Sequence, residues 1–483
     1  MRLWQLAACQ ALLASISYSL PAESFAQADQ ALAVPPPRPV LPVPTARQLD
    51  WQRAELALFL HFGMNTFTDS EWGSGKEDPS LLNPTNLDAN QWARVARQTG
   101  FRTLVLTAKH HDGFSLWPSR YTWHSVRRSP WRDGAGDVVR ELADAARAEG
   151  LRVGLYLSPW DRHEPSYGEQ RAYNEYYMAQ LRELLTDYGP VAEVWFDGAK
   201  GPGAADMEYD FPAYWALVRQ LQPGAVIFSD AGPDIRWIGN ERGFAGATNW
   251  SPFDRTQVDV GTHKTDYLNS GDPNGPHWVP GECDVSIRPG WFWHPDQGPK
   301  PLDELLDIYF KSVGRNCVLL LNVPPNREGR LDDADVKRLY EFRAALDAMF
   351  EVDLARGGMV IASNVRGNAE EYGGGRALDG DLETYWATDD TVQTGVLELD
   401  LGQLQNFNVI RIQEPIQLGQ RISAYRVEVE RNGRWEIVSR GTTVGHKKLE
   451  AIEDVTTRRV RLVIEGARAH PLVAEFGLHR VPG

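Results

Sequence analysis

Apolar positions over most of the chain follow two alternating periods, one typical of buried strands and one typical of helices. Continuous apolar runs at Leu56 to His61, Thr103 to Thr107 and Val153 to Leu157 predict buried strands. Between the second and third runs, Val139, Leu142 and Ala146 recur at helical spacing, and the predicted helix ends near Gly150. The start of the folded chain therefore alternates strand and helix.

The same alternation continues through predicted strands at 191–196, 226–229 and 318–322, and through a last helix at 332–349. Strands separated by helices over about 300 residues predict a parallel (β/α)8-like barrel. Strands six and seven are expected between Gly246 and Ile287, where the pattern defines them poorly. We assign residues 48–352 to this barrel as the catalytic domain.

After Met349 the apolar period shortens to two. Leu397, Leu399 and Leu401 alternate with acidic residues, and the same alternation recurs at 425–430 and 460–464. Short alternating strands predict an antiparallel β-sandwich or jelly roll. The second domain is therefore placed at 353–483.

The N-terminal residues predict export. Residues 1–28 combine a basic start, an apolar stretch and a small-residue cleavage pattern, which is typical of a signal peptide. That stretch is too short and too polar to span a bilayer, so we expect no membrane attachment. Residues 29–47 are a proline-rich linker that proline prevents from forming helix. The mature protein is expected to be periplasmic or secreted.

Net charge and cysteine content argue against two classes of function, nucleic-acid binding and metal binding by cysteines. The net charge of −15 offers no basic surface for nucleic acid. The remaining cysteines after signal removal, Cys283 and Cys317, permit one disulfide at most, and their apolar surroundings favour two buried thiols. Their spacing also matches no metal site built from cysteines.

Chemically active residues fall at the ends of the predicted strands. His61 ends the first strand, His110 and His111 the second, Tyr156 the third and Asp197 the fourth. A parallel barrel brings these ends to one cavity. Neighbouring His110 and His111 would point in opposite directions from an extended strand, which argues against a catalytic metal. We expect the histidines to bind substrate instead.

Four motifs carry a resemblance to a known family: His-Phe-Gly at 61–63, Glu-Trp-Gly at 71–73, Lys-His-His-Asp-Gly-Phe at 109–114 and Val-Trp-Phe-Asp-Gly at 194–198. In their order they resemble the α-L-fucosidases of glycoside hydrolase family 29, over about residues 48 to 350. The resemblance implies that Asp197 is the nucleophile. It implies that the fucose hydroxyls are held by His61, Glu71, Trp72, His110, His111 and Tyr156.

The stretch at 278–291 resembles the subfamily that prefers α-1,3/1,4-linked fucose. This resemblance implies that Glu282 is the acid/base. The alternative is that Glu282 forms an ion pair with Arg288. We also expect Arg288 near Asp197, and Trp278 and Trp291, with Trp72, as walls of the sugar pocket.

The activity implied is that of a retaining exo-α-L-fucosidase acting on fucosylated oligosaccharides or glycoconjugates. Two carboxyl groups suffice for that chemistry, so no cofactor is expected. The alternatives are an inactive carbohydrate-binding protein on a hydrolase barrel, or a hydrolase for another sugar.

The loop at 377–386 resembles the discoidin-like (F5/8 type C) domain, whose members often bind sugars. The resemblance raises two alternatives for Asp379, Asp381 and Thr384. They hold a structural calcium ion, or they form a tight turn without one.

Overall fold

The structure, a computed structural model, describes residues 34–262 and 264–481. Its first part is a closed barrel of eight parallel strands in which each strand pairs with its neighbours in sequence and β1 pairs with β8. The predicted barrel is therefore confirmed. The strands are β1 Leu56–Leu60, β2 Thr103–Lys109, β3 Arg152–Leu157, β4 Glu193–Trp195, β5 Val226–Ser229, β6 Ile235–Trp237, β7 Gly281–Ser286 and β8 Cys317–Asn322.

Helices surround the barrel, and aspartate side chains begin several of them. Asp88, Asp137 and Asp210 each accept a hydrogen bond from a backbone N–H of the following helix, α3, α4 and α6 respectively. The helices are α1 Ala46–Ala54, α2 Met64–Thr68, α3 Ala89–Gln98, α4 Val138–Ala148, α5 Gln170–Asp187, α6 Phe211–Leu221, α7 Thr265–Ser270, α8 Leu302–Lys311 and α9 Asp333–Phe350.

The barrel interior is a packed core. Large inward-facing side chains such as Phe59, Tyr156, Trp195 and Phe228 form one cluster there. Trp51 of α1 belongs to the same cluster, and its indole contacts Glu193, the first residue of β4. Helix α1 thus covers the amino ends of the strands, which leaves the carboxyl ends for the site.

The sixth strand differs from the prediction. It lies at Ile235–Trp237, before the expected range of 246–287, and only residues 230–234 separate it from β5. Parallel neighbours usually need a crossover of a dozen or more residues. Here a long excursion after β6, residues 238–280, packs Phe253, Leu268 and Val279 against Ala231 and takes the place of a crossover helix.

The C-terminal part is an antiparallel β-sandwich, as the alternating pattern predicts. Its main sheet has the order β9-β10-β13-β11-β12, with β14 paired to β10. The expected inward residues, among them Leu397, Leu399 and Tyr425, are fully buried. The strands are β9 Met359–Ala362, β10 Gly395–Gln413, β11 Ile422–Arg431, β12 Arg434–Gly441, β13 Lys448–Ala467 and β14 Glu475–His479.

Polar contacts join the barrel to the sandwich. Asn316, just before β8, donates its backbone N–H to Lys447 O and accepts from His446 N–H at 2.8 Å. Glu55 accepts from His446 Nε2 and Lys447 Nζ. Although burial opposes its ionisation, Lys447 and His446 lower the pKa of Glu55 to about 2. The two parts are therefore linked by partly buried ionic contacts.

Two details of the sequence predictions need correction. The proline-rich residues 36–44 are not a free spacer, because Val40 N–H donates to Leu418 O at 2.9 Å and Arg421 donates to Arg38 O. Cys283 and Cys317 form a disulfide between β7 and β8, so the prediction of two buried thiols is wrong.

The signal peptide predicted at 1–28 lies outside the described residues. In the part of the chain that the structure describes, no helix combines the length and apolarity needed to cross a bilayer.

Candidate active site

Asp197 lies directly beyond β4 at the carboxyl ends of the strands. Its Oδ2 accepts a hydrogen bond from Tyr156 Oη at 2.9 Å, and its Oδ1 accepts from Ala199 N–H at 2.7 Å. His111 Nε2 lies 3.7 Å from Oδ2. A Cβ on Gly198 would collide with the Asp230 carboxyl, which explains the glycine after the aspartate. These contacts hold one carboxylate in a fixed orientation at the cavity.

Each of the three histidines is fixed through its Nδ1. His61 Nδ1 lies 2.9 Å from Asn322 Oδ1, and His111 Nδ1 lies 2.7 Å from Ser158 Oγ. His110 Nδ1 lies 3.3 Å from Asn65 Nδ2. The Nε2 atoms are thereby directed away from these supports. The structure brings the three histidines together: the ring centroids of His61 and His110 lie 5.6 Å apart, and those of His110 and His111 lie 4.1 Å apart. The expectation that His110 and His111 point in opposite directions is therefore wrong, because both lie beyond β2, which ends at Lys109.

Burial keeps these histidines neutral. It lowers the pKa of His61 to about 3 and the pKa of His110 well below its usual range. Burial also lowers the pKa of His111, although the charge of Asp197 opposes that change. Neutral imidazoles offer fixed hydrogen bonds to sugar hydroxyls without a buried positive charge. Across residues 34–262 and 264–481, no group of three or more His, Cys, Asp or Glu is placed to bind a metal ion.

Aromatic rings surround the histidines. The Trp291 ring lies 5.0 Å from His61, and the Phe292 ring lies 5.0 Å from His110. Trp72, which is 47% exposed, packs edge-on to Trp160 at 5.4 Å. Flat apolar faces beside fixed polar groups suit a sugar ring that carries a methyl group. Trp72 and Trp291 therefore lie beside the histidines, and their role as walls of the sugar pocket stays a prediction.

Glu71 connects two loops of the site. Its carboxylate accepts from Trp291 N–H at 2.8 Å and contacts His294 Nε2 at 2.6 Å. Nδ1 of the same histidine lies 2.8 Å from Asp69. Partial burial opposes protonation of His294, but these hydrogen bonds to Glu71 and Asp69 raise its pKa. The sequence predictions included Glu71 and missed His294.

Two predicted site residues lie elsewhere. Trp278 donates its indole N–H to Gln52 of α1 at 2.9 Å, so it packs at the amino ends of the strands. Arg288 is buried and pairs with Asp335 of α9 at 2.8 Å. It therefore pairs neither with Asp197 nor with Glu282. Both placements in the sugar pocket are wrong.

Glu282 cannot be the acid/base in this structure. It is the second residue of β7 and is fully buried in the barrel interior, on the side of the amino ends. Its Oε1 accepts from Trp195 Nε1 at 2.7 Å. A general acid must reach the glycosidic oxygen in the open cavity. The assignment of Glu282 is therefore wrong, because the strand register places it below the site.

Glu241 is a carboxyl of the site that the sequence predictions missed. It follows β6 in the run Trp237-Ile238-Gly239-Asn240-Glu241, and its Oε2 accepts from Trp291 Nε1 at 3.3 Å. Neighbouring protein atoms partly desolvate its carboxyl, and the charges of Asp197 and Glu71 add to this effect, so its pKa is raised. The sequence signal that could have identified Glu241 was its position just after a short buried run. It was not used, because the sixth strand was expected later in the chain.

Two further carboxyls face the same region. Burial raises the pKa of Asp284 well above its usual range, and the charges of Glu241 and Asp197 contribute. Burial also raises the pKa of Asp230 to about 7; a hydrogen bond from Gly261 opposes this change, and the charge of Asp197 adds to it. The cavity thus concentrates carboxyl groups around Asp197, and three of them are shifted toward the protonated form.

Comparisons with known proteins agree with this arrangement. A family model described as alpha-L-fucosidase matches residues 76–348, and a model of the F5/8 type C domain matches residues 360–476. Alpha-L-fucosidase 1 of Arabidopsis thaliana is 53% identical over 452 residues, which cover 93% of this chain and 89% of that protein. This chain is a glycoside hydrolase. It belongs to the α-L-fucosidases of family 29, and an F5/8 type C domain forms its C-terminal part.

Solved structures give the same result. The crystal structure of SpGH29 superposes with a TM-score of 0.89 at 44% identity, covering 92% of this chain and all of that one (100%). A Ruminococcus gnavus GH29 fucosidase in complex with fucose superposes with a TM-score of 0.88 at 37% identity, covering 94% and 98%. The alternatives of an inactive binding protein and of a hydrolase for another sugar are set aside.

Proposed function

We propose that this α-L-fucosidase is a retaining, exo-acting enzyme that releases α-1,3/1,4-linked L-fucose from branched glycans. Asp197 is the nucleophile and Glu241 is the acid/base. The observation that carries the proposal is the pair of carboxyls at the tips of β4 and β6. The Asp197 carboxylate is held by two hydrogen-bond donors, and the surroundings of Glu241 raise the pKa of its carboxyl.

The orientation of Asp197 supports its role as nucleophile. Tyr156 and Ala199 each donate to a different oxygen of the carboxylate, so its rotation is restricted before substrate arrives. Attack on the anomeric carbon needs such a preset geometry. His61, His110 and His111 surround the same cavity, where their neutral rings can bind the fucose hydroxyls.

The environment of Glu241 supports its role as acid. A retaining glycosidase needs one ionised carboxylate and one protonated carboxyl roughly 5 Å apart. The negative charge of Asp197 is one of the causes that raise the pKa of Glu241, so ionisation of the nucleophile itself favours protonation of the acid. Trp291 holds the Glu241 carboxyl by one hydrogen bond.

The steps follow from these positions. An Asp197 oxygen forms a bond to the anomeric carbon as the glycosidic bond breaks, and Glu241 gives its proton to the departing oxygen. Glu241 then removes a proton from water, which attacks the fucosyl-enzyme and releases Asp197. Fucose leaves with its original anomeric configuration, and Glu241 is protonated again.

The linkage preference rests on the resemblance at 278–291, and the substrates on the related fucosidases. Export is supported by the predicted signal sequence and by the Cys283–Cys317 disulfide, since disulfides persist in oxidising compartments. We expect the enzyme in the periplasm or the medium. Fractionation of expressing cells tests this, and enzyme confined to the cytoplasm would contradict it.

Replacement of each carboxyl tests the mechanism. Asp197→Ala should abolish turnover, and azide should restore part of it by replacing the missing carboxylate. Glu241→Gln should slow hydrolysis of a fucosylated glycan far more than the formation of fucosyl-enzyme from a nitrophenyl fucoside, because nitrophenolate leaves without protonation. A burst with the aryl fucoside and azide rescue would follow.

Glu282→Gln is the matched control, because it makes the same change in a carboxyl below the site. It should give neither burst nor azide rescue. If Glu282→Gln gave both and Glu241→Gln gave neither, the acid/base assignment would be reversed. Proton NMR of the first product should show α-L-fucose, and β-L-fucose would refute retention.

Linkage is tested separately. We expect trisaccharides with α-1,3- or α-1,4-linked fucose to be hydrolysed faster than an α-1,2-fucoside under the same conditions. Equal rates would remove the linkage preference and leave the carboxyl assignments intact.

A further inference from the structure

Two carboxyl groups meet inside the barrel below the active site, where the mechanism does not use them. Glu193 is the first residue of β4 and Glu282 the second residue of β7, and both are fully buried. Glu193 Oε2 accepts from Trp51 Nε1 at 3.0 Å, and Glu282 Oε1 accepts from Trp195 Nε1 at 2.7 Å. Each carboxyl thus has one oxygen bound to an indole.

In the part of the chain that the structure describes, the remaining oxygens, Glu193 Oε1 and Glu282 Oε2, have no hydrogen-bond partner outside the pair, and the two carboxyls interact directly. In residues 34–262 and 264–481 no ion pair joins either group to a cation. Two facing anions in a barrel core would be strongly unfavourable. One proton shared between the two carboxyls satisfies all four oxygens. The two indoles each donate to one oxygen. Of the two remaining oxygens, one carries the proton and donates it in a hydrogen bond to the other, which belongs to the ionised carboxylate.

The pair is connected to the nucleophile through Trp195. Glu193, Trp195 and Asp197 alternate along one strand direction, so all three face the barrel axis. The Trp195 ring stacks on Phe228 at 3.8 Å and on Tyr156 at 5.5 Å, and Tyr156 donates to Asp197. The indole that Glu282 holds is therefore the surface on which the phenol of Tyr156 rests.

We propose that Glu193 and Glu282 share one proton and act as positioning residues that fix Trp195, and through it Tyr156 and Asp197. The role rests on the proposed function of Asp197 as nucleophile. Burial, followed by the charge of the other carboxyl, raises the pKa of Glu282 well above its usual range, which agrees with a retained proton.

A cycle of amide substitutions tests the shared proton. In Glu282→Gln the amide N–H can donate to Glu193 while the amide oxygen accepts from Trp195. In Glu193→Gln the amide N–H can donate to Glu282 while its oxygen accepts from Trp51. Each single change preserves every hydrogen bond, so we expect kcat within about threefold of the wild type. The double variant places two amide NH2 groups face to face and has no acceptor between them.

We therefore expect the double variant to lose about tenfold in kcat. Its thermal midpoint should also lie about 2 to 4 °C below the value that the summed effects of the two single variants predict. Additive single effects, or singles as damaged as the double, would overturn the proposal. Should the double variant not fold, infrared difference spectra decide. A protonated-carboxyl band of the wild type should be missing in both single variants, and its retention in both would refute the shared proton.

Glu282→Leu separates positioning from packing. It removes the acceptor of Trp195 but keeps an apolar volume, so we expect kcat to fall about tenfold while KM changes about twofold or less. KM is spared because His61, His110 and His111 are held by Asn322, Asn65 and Ser158. Recovery of kcat in Glu282→Gln is the conservative rescue, and equal losses in both variants would contradict positioning.

The shared proton can be tested separately from the Asp197 assignment. Azide rescue of Asp197→Ala tests the nucleophile alone. If that rescue failed while the amide cycle remained non-additive in thermal unfolding, the shared proton would stand and its link to catalysis would fall.

Discussion

Tyr156 at the end of β3 donates its hydroxyl to Oδ2 of Asp197 beyond β4, over 2.9 Å. The two residues belong to neighbouring strands, and Tyr156 pairs with Trp195 in the barrel register. The hydroxyl therefore fixes the carboxylate of Asp197, the proposed nucleophile, from the adjacent strand.

Tyr156→Phe should lower kcat about 10- to 100-fold, the usual value of a hydrogen bond to a charged group. The ring remains, so its stacking on Trp195 and the thermal midpoint should change little. Tyr188→Phe is a control, because Tyr188 is also buried but donates to Asp137, which begins helix α4 away from the site. Steady-state kinetics with an aryl fucoside measure both, and an equal loss in the two variants would contradict a specific role of Tyr156.

His294 should make fucose binding sensitive to alkaline pH. Its raised pKa means that the protonated form holds Glu71 and Asp69; this stabilisation is complete below the unfolded pKa of about 6.5 and is lost as pH rises through the folded pKa. KM should therefore increase on the alkaline side in the wild type. In His294→Gln, KM should already be high at pH 6 and vary less with pH.

His470→Gln is the control for this profile, because His470 lies in the sandwich near Arg421. It should keep the wild-type pH dependence of KM. An unchanged profile in His294→Gln would show that Glu71 does not depend on the histidine.

Glu55 should make the domain junction sensitive to acid. Its folded pKa of about 2 lies below the usual 4.5, so its contribution is present above about pH 4.5 and is lost as pH falls toward 2. Glu55→Gln should cost about 2 to 3 kcal/mol in the free energy of unfolding at pH 7. Urea unfolding between pH 7 and 3 should show this difference shrinking with acid.

Glu383→Gln is the matched control at the same junction. Glu383 pairs with Arg53 at 2.6 Å, but its side chain is 62% exposed. Exposed pairs contribute little, so we expect a change below about 1 kcal/mol. Equal effects of the two variants would refute the special role of the contacts of Glu55, whose side chain is only 21% exposed.

Chelation distinguishes the catalytic and structural roles of metals. We expect full activity after dialysis against a chelator, since two carboxyls supply nucleophile and acid. Loss of activity that zinc restores would contradict this. In the sandwich, the Asp379 carboxylate accepts from Thr384 Oγ1 at 2.8 and 2.9 Å and from Asp381 N–H at 3.0 Å.

These hydrogen bonds close the loop as a turn. A thermal midpoint that rises with calcium in the wild type but not in Asp379→Asn would establish the calcium alternative. An unchanged midpoint would establish the turn without an ion. Calcium binding at this loop therefore stays a prediction, which scanning calorimetry tests by measuring the thermal midpoint.

The sequence predicted most strands because parallel barrel strands are buried on both faces and appear as continuous apolar runs. The position of β6 was not predicted, because Ile235–Trp237 is three residues long and follows β5 without a helix between them. The sequence alone could not show which of Glu282 and Glu241 is the better candidate for the acid/base, since both are acids near short apolar runs. Only the register, which pairs Glu282 with Val318 near the start of β8, shows which end of the barrel each occupies.

The disulfide depends on the same kind of information. Cys317 pairs with Gly281 in the register of β7 and β8, which brings Cys283 within reach. Their separation of 34 residues says nothing about contact. Local burial was therefore predicted correctly for both cysteines, and their pairing was not.

The excursion after β6 limits how this enzyme can be redesigned. Its first residues include Glu241, and its later residues form the layer that covers β5 and β6. In many barrels a catalytic loop can be exchanged while separate helices keep the scaffold folded. Here a graft that replaced residues 238–280 would remove Glu241, the proposed acid/base, together with the outer wall. Shorter changes confined to 240–244 would preserve Phe253, Leu268 and Val279, and they are the practical route to altered leaving-group preference.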